Sequence, residues 1–280
     1  MTDNPNAAQI DYWNATAGET WSRMHDQLDR QIEPLGLEAM RRLAPGQGER
    51  ILDIGCGCGQ TTMALAKWIG LSGAVIGVDI SRPMLEVARG RPLPADARQP
   101  EFREADAQSE SLGAAAFDAA FSSFGVMFFS DPVAAFANIR AALKPSGRLG
   151  FVCWRPYPEN LWMRIPMEAA QPLLGPTAPA DPTAPGPFAF ADPARVRSIL
   201  SQAGFTAITI DPYDARIGGG DIDQTVALAF RVGPLGRALQ ETPDRLPEVA
   251  RAVKAAITPF DTPNGVLMPA AVWIVQARAG

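Results

Sequence analysis

Leu52-Asp53-Ile54-Gly55-Cys56-Gly57-Cys58-Gly59-Gln60 sets three glycines at alternate positions between an apolar run and a segment of helical spacing. The run before it, Arg50–Ile54, suits a strand buried on both faces, and the pattern after it, MALAKWIG at 63–70, returns to a helix. Glycine in such a bend permits positive φ and lets a ligand lie against the backbone. The helix N-terminus adds free N–H groups that favour a carboxylate. A dinucleotide-binding loop of the form G-x-G-x-x-G needs glycine at position 60, where this chain has Gln60. The loop therefore suits an amino-acid tail better than a pyrophosphate.

Outward from the loop, AVIGVDI at 74–80 is a second strand, RPMLEVARG at 82–90 a helix and EFREADA at 101–107 a third strand. FDAAFSS at 117–123, VAAFANIRAALK at 133–144 and RLGFVCW at 148–154 continue as strand, helix and strand. This alternation predicts an α/β fold, a doubly wound, mostly parallel sheet with right-handed crossovers. Asp79 ends the second strand 24 residues after Gly55, where a carboxylate can accept both hydroxyls of a ribose; capping the next helix is its plainer role. Asp106, at the end of the third strand, can accept an adenine amino proton or cap a turn.

Residues 10–44 read as helical, with Pro34 expected to divide them into two helices. Prolines crowd 156–193, which reads as a loop or lid with one short helix near 160–173. A helix at 192–203, a strand at 205–213, a helical piece beginning at 218 and a last strand at 266–279 complete the chain.

The chain has 280 residues, 47% of them hydrophobic, enough for one large domain or a domain with a substantial insertion, and too many for a disordered chain. A net charge of −5 removes the positive field that would gather nucleic acid or an anionic membrane. No apolar run reaches the roughly 18 residues of a membrane span, and the start is polar, so a cytoplasmic protein is expected. Cys56, Cys58, Cys153 and the single His25 make a poor metal set, and no metal is expected.

Together these residues resemble the class I S-adenosylmethionine-dependent methyltransferases. LDIGCGCG (52–59), GVDIS (77–81), EADA (104–107) and FDAAFSSFGVMFFSDP (117–132) followed by LKPSGRLGFVCW (143–154) occur in that family's order and spacing. The resemblance implies a seven-stranded sheet of order 3-2-1-4-5-7-6 with the last strand antiparallel and helices on both faces. It implies S-adenosylmethionine as cofactor and S-adenosylhomocysteine as product. Gly55, Gly57 and Gly59 would cradle the methionine portion, Asp53 the ammonium and Asp79 the ribose. Asp106 and Ala107 would meet the adenine, Ile80 and Met84 would pack on its faces, and Ser122 and Ser123 match the segment lining the sulfonium side.

The expected organisation is an N-terminal helical lid over 1–45 and a cofactor-binding domain over 46–280. That domain carries the proline-rich loop at 156–193 and a helical insertion at about 213–265, a source of specificity or dimer contacts. Trp21 from the lid, and Trp154, Tyr157 and Trp162 after the fifth strand, are the pocket candidates. Many relatives carry histidine after the fourth strand, where this chain has Phe128, so no base is assigned there; His25 is the remaining candidate base.

The expected function is methyl transfer to a small-molecule acceptor, in a bacterial branch of the family, by a monomer or homodimer that binds no nucleic acid and no membrane. A cofactor-binding sensor or scaffold without turnover, and a nicotinamide oxidoreductase sharing the β-α-β start, are the alternatives.

Overall fold

A computed structural model describes residues 6–175, 181–240 and 242–280. The five strands β1 (Arg50–Ile54), β2 (Ala74–Asp79), β3 (Glu101–Glu104), β4 (Phe117–Ser123) and β5 (Leu143–Trp154) run parallel in the order β3-β2-β1-β4-β5. Beyond β5 the sheet turns antiparallel. The last strand, β8 (Gly265–Arg278), lies between β5 and β6 (Thr206–Gly218), and the two-residue β7 (Asp261–Thr262) folds back on β8. Counting β8 as the seventh main strand, this is the order the sequence implied.

Both faces of the sheet are covered. Gly150 of β5 lies under Leu43 of helix α3 (His25–Leu43), so closely that a Cβ on it would stand 3.2 Å from the Leu43 Cβ. Its neighbour Phe151 points to the opposite face, where it packs 5.6 Å from Phe136 of α6 (Pro132–Ala142). Phe190 and Phe205 complete that aromatic cluster. Helix α4 (Gln60–Ile69) follows the glycine loop and α5 (Arg82–Gly90) follows β2. Helix α8 (Pro193–Gln202) starts where the Asp192 carboxylate accepts the Ala194 N–H, with Pro193 in the first turn.

The N-terminal segment breaks elsewhere than expected. Helices α1 (Ala7–Asn14) and α2 (Thr16–Arg23) part at Ala15, and α2 and α3 at Met24, while α3 runs unbroken through Pro34. Pro34 sits on the exposed side of α3, where water can satisfy the carbonyl it deprives of a donor. The opposite side buries Leu28, Leu35, Met40 and Leu43, and that packing holds the helix straight through. β3 stops at Glu104, three residues before the expected end, because Asp106 folds the chain into a turn whose Gln108 N–H and Ser109 hydroxyl its own carboxylate accepts.

The proline-rich stretch contains α7 (Leu161–Leu174); residues 176–180 lie outside the described residues. Between β6 and β7 come α9 (Ile222–Ala229), α10 (Gly233–Gln240) and α11 (Leu246–Ile257), which bury Val226, Leu235, Val249 and Val253 in a second apolar core with Met167 of α7 and Met268 of β8. β6 extends to Gly218, past the expected end at 213, by pairing with β8 along its whole length. No helix among the described residues is long and apolar enough to cross a membrane.

Gly55 and Gly125 bring the β1 and β4 loops into backbone contact: a Cβ on Gly125 would lie 2.8 Å from the Gly55 Cα and 2.9 Å from the Ile54 carbonyl oxygen. Gly125→Ala therefore lowers the unfolding free energy by about 1–3 kcal/mol in urea denaturation. Gly90→Ala, whose Cβ meets nothing within 4 Å, stays within about 0.5 kcal/mol of the parent.

Candidate active site

The carboxyl ends of β1, β2, β4 and β5 open into a cavity of about 200 Å³, walled on its other side by α1–α3. Gly55 and Cys56 donate their backbone N–H groups to the Val78 carbonyl, which ties the glycine loop to β2. Gly55, Gly57 and Gly59 all have positive φ, between 53° and 83°, as the bend requires. Asp79 closes the loop from the other side. One of its carboxylate oxygens accepts the Gly57 N–H at 2.8 Å and the other accepts the Ser81 N–H at 2.8 Å. Burial raises this carboxyl above its ordinary range, opposed by the N–H groups of Ser81, Gly57 and Ile80.

Of the residues singled out in the sequence, Gly55, Gly57, Asp79, Ile80, Met84, Asp106, Ala107, Ser123, Trp21, Trp154 and His25 line this one cavity. Gly59, Asp53, Ser122 and Tyr157 do not. Gly59 faces the other way: a Cβ there would lie 2.8 Å from the Ala88 Cβ and 3.0 Å from the Phe102 ring, so it serves the packing of α4 against α5 and β3. Ser122 is one strand position from Ser123, and alternation along β4 turns it into the interior. Tyr157 packs edge-on against Phe188, 5.5 Å between ring centres. Trp162, named with it in the sequence, takes the place beside Trp154 at 5.0 Å.

Asp53 lies wholly buried beneath the loop, where one oxygen accepts the hydroxyls of Thr61 at 2.8 Å and Thr62 at 2.6 Å. The other oxygen has no partner among the described residues. Burial pushes its carboxyl up to about 7. Asp106 is also buried, accepting from Asn6 Nδ2 and the Gln108 N–H at 3.0 Å each and from the Ser109 hydroxyl at 2.7 Å. Burial raises the thiols too, Cys56 well above its ordinary value and Cys58 up to about 12, so both stay protonated.

The wall is fastened by polar contacts. The Asn14 side chain donates to the Ile80 carbonyl at 2.8 Å and accepts the Arg82 N–H at 2.9 Å, and the Ser81 hydroxyl donates to the Trp13 carbonyl at 2.7 Å. Arg91 donates to both the Cys58 carbonyl and Asp29 of α3. Asp29, whose carboxyl burial raises despite Arg91, also lines the cavity. Neither Asn14 nor the Arg91–Asp29 pair stands out in the sequence, because each draws its meaning from a partner more than 60 residues away.

On the side of β4, β5 and α1 the lining becomes aromatic. Phe124 stacks on Trp154 at 4.3 Å, and Trp13 meets Phe128 edge-on at 5.0 Å. Phe124 holds a left-handed φ of 64°, a conformation that costs a bulky side chain about 1–2 kcal/mol. His25 lines the cavity from the start of α3, one turn before Asp29. Its Nδ1 lies 2.8 Å from the Ser22 carbonyl and its Nε2 lies 3.3 Å from the Asp26 carboxylate, so an acceptor faces each ring nitrogen.

Comparison with known proteins agrees with this geometry. A methyltransferase domain family matches residues 51–147. The O-methyltransferase cnsE of Penicillium expansum is 32% identical over 258 residues, 89% of this chain and 83% of that protein. A demethylmenaquinone methyltransferase of Clavibacter sepedonicus is 34% identical over 206 residues, 70% of this chain and 78% of that protein. Among solved structures, the YcgJ protein of Bacillus subtilis shares the fold with a TM-score of 0.55 at 19% identity, covering 88% of this chain and 97% of that one. With the loop, the sheet order and a relative matched over most of both lengths, this chain belongs to the class I S-adenosylmethionine-dependent methyltransferases.

Proposed function

We propose that the protein methylates a small aromatic hydroxyl by in-line transfer, with cofactor and acceptor held end to end in the cavity. The observation that carries this reading is the single space bordered by the glycine loop, Asp79, His25 and Trp21 and, on the β4–β5 side, by Phe124, Trp154 and Trp162. S-adenosylmethionine supplies an activated methyl carbon on a sulfonium. The residues present fit that cofactor. Each Asp79 oxygen that accepts one N–H keeps a lone pair for a ribose hydroxyl, and the N-terminal amides of α4, approached over the bare backbone of Gly55 and Gly57, suit the carboxylate. The unpartnered oxygen of Asp53 suits the ammonium, through the loop or a water. Ile80 and Met84 suit the two faces of the adenine beside Asp106 and Ala107, and Ser123 the sulfonium side.

The chain's own part in the reaction is alignment and exclusion of water. The aromatic side of the cavity orients a flat acceptor, and the His25 ring, once turned away from the exposed Asp26 carboxylate that faces its Nε2, takes the hydroxyl proton as the oxygen attacks. Helices α1 and α2 act as the lid that closes over both, while α3, expected from the sequence to belong with them, is buried against β5 and stays as the fixed rim. The O-methyltransferase relative supports oxygen as the attacking atom.

Three measurements test this. Asp79→Asn weakens S-adenosylhomocysteine binding about 10- to 100-fold by calorimetry; unchanged affinity removes the ribose role. His25→Gln lowers kcat on a neutral phenol about 10²- to 10⁴-fold but leaves turnover of a nitrophenol, already ionised at the assay pH, nearly intact. Equal losses on both acceptors sink the base assignment. The third concerns pH. Asp53, raised from 3.8 to about 7 in the folded chain, costs nothing while protonated in both states, and its penalty grows as pH rises from about 4 to about 7. Asp53→Asn should thus gain stability relative to the parent across that window and keep the gain above it; a pH-independent difference contradicts the shift.

A further inference from the structure

A second cavity, about 50 Å³, lies under the helices inserted between β6 and β7. Leu228, Leu235, Val253, Ile257 and Met268 give it apolar walls, and Gln27 and Gln31 of α3 give it a polar edge. It adjoins the first cavity: Gln31, Trp162, Met163 and Val232 border both spaces. Two polar atoms here are buried without a partner among the described residues: the Trp162 indole N–H at the junction and the Gln27 side-chain oxygen at the edge of the second cavity. A buried donor and a buried acceptor left unmade are rare in native proteins, and a bound molecule is a standing explanation. The space itself holds about four waters, or one short alkyl branch, and its walls favour the branch.

We propose that the methyl acceptor has two parts: a phenolic ring in the first cavity, and an apolar branch that passes Trp162 into the second. An oxygen at the root of the branch, a ring ketone or acyl carbonyl, accepts the Trp162 N–H, and a hydroxyl on the same molecule donates to Gln27. The acceptor class is therefore an acyl phenol or a hydroxylated ring ketone with an apolar tail. This rests on the methyltransferase reading of the first cavity and extends it to the choice of acceptor.

The test uses the full chain saturated with S-adenosylhomocysteine and a series of 2,4-dihydroxyphenyl alkyl ketones with acyl chains of two, four and six carbons, their affinities read by calorimetry. Affinity should rise about fourfold per added methylene until the second cavity is full. Ala229→Phe, which fills that cavity from α9, should abolish the gain with chain length. Leu235→Ala, which enlarges it, should move the optimum to a longer chain. Trp162→Phe should weaken the ketones roughly threefold to tenfold more than it weakens 4-butylphenol, which shares the packing but has no carbonyl. Affinities independent of chain length, a gain that survives Ala229→Phe, or no binding by any member overturns the proposal. Retained S-adenosylhomocysteine binding in each variant shows that it is folded, and its absence in the parent strikes the reading of the first cavity instead.

Discussion

The Asp79 carboxylate accepts one N–H from the loop after β1 and one from the loop after β2, and through these two bonds the parts of the cavity keep their places. Without them the glycine bend loses its outer support, because among the described residues its other hydrogen bonds to β2 run to the Val78 carbonyl. The charge is kept in a buried position by donors that the backbone supplies at fixed positions, which need no reorganisation when a ligand arrives. The same carboxylate keeps acceptor capacity toward the cavity, so one side chain both builds the bend and lines the open space.

Around that clasp the chain arranges two chemistries in sequence. Backbone amides and carboxylates sit at the β1–β3 end, and stacked rings at the β4–β5 end. The strained Phe124 lies where the two meet, held by its N–H to the Val152 carbonyl and by its ring on Trp154. Gly125 follows at once because the Gly55 backbone leaves no room for a side chain there.

The sheet is legible in the sequence because each parallel strand is a short β-branched or aromatic run with glycines or acidic turn residues at its end, and such runs have few other uses. Asp79 and Asp106 are legible for the same reason, as acidic residues at strand ends beside a glycine loop. What escapes is what packing decides. Pro34 reads as a helix break, yet Leu28, Leu35 and Met40 bury the other side of α3 and carry it through. Ser122 and Ser123 differ only in strand parity, so a one-residue distinction sends one inward and one to the cavity. Asn6, Asn14, Gln27 and Gln31 are ordinary helix-region polar residues until the fold sets them against Asp106, Ile80 and Trp162. The left-handed turn at Phe124 has no sequence signal, since glycine is the residue expected there.

Helix α1 buries none of its own residues, and apart from ring contacts its hold on the rest of the protein is a handful of hydrogen bonds. Each contributes roughly 1 kcal/mol net, so detaching this segment costs far less than disturbing the sheet behind it. Helix α1 can accordingly be displaced at less cost than the strands behind it, and the cavity it borders can widen on that side while the sheet keeps its shape.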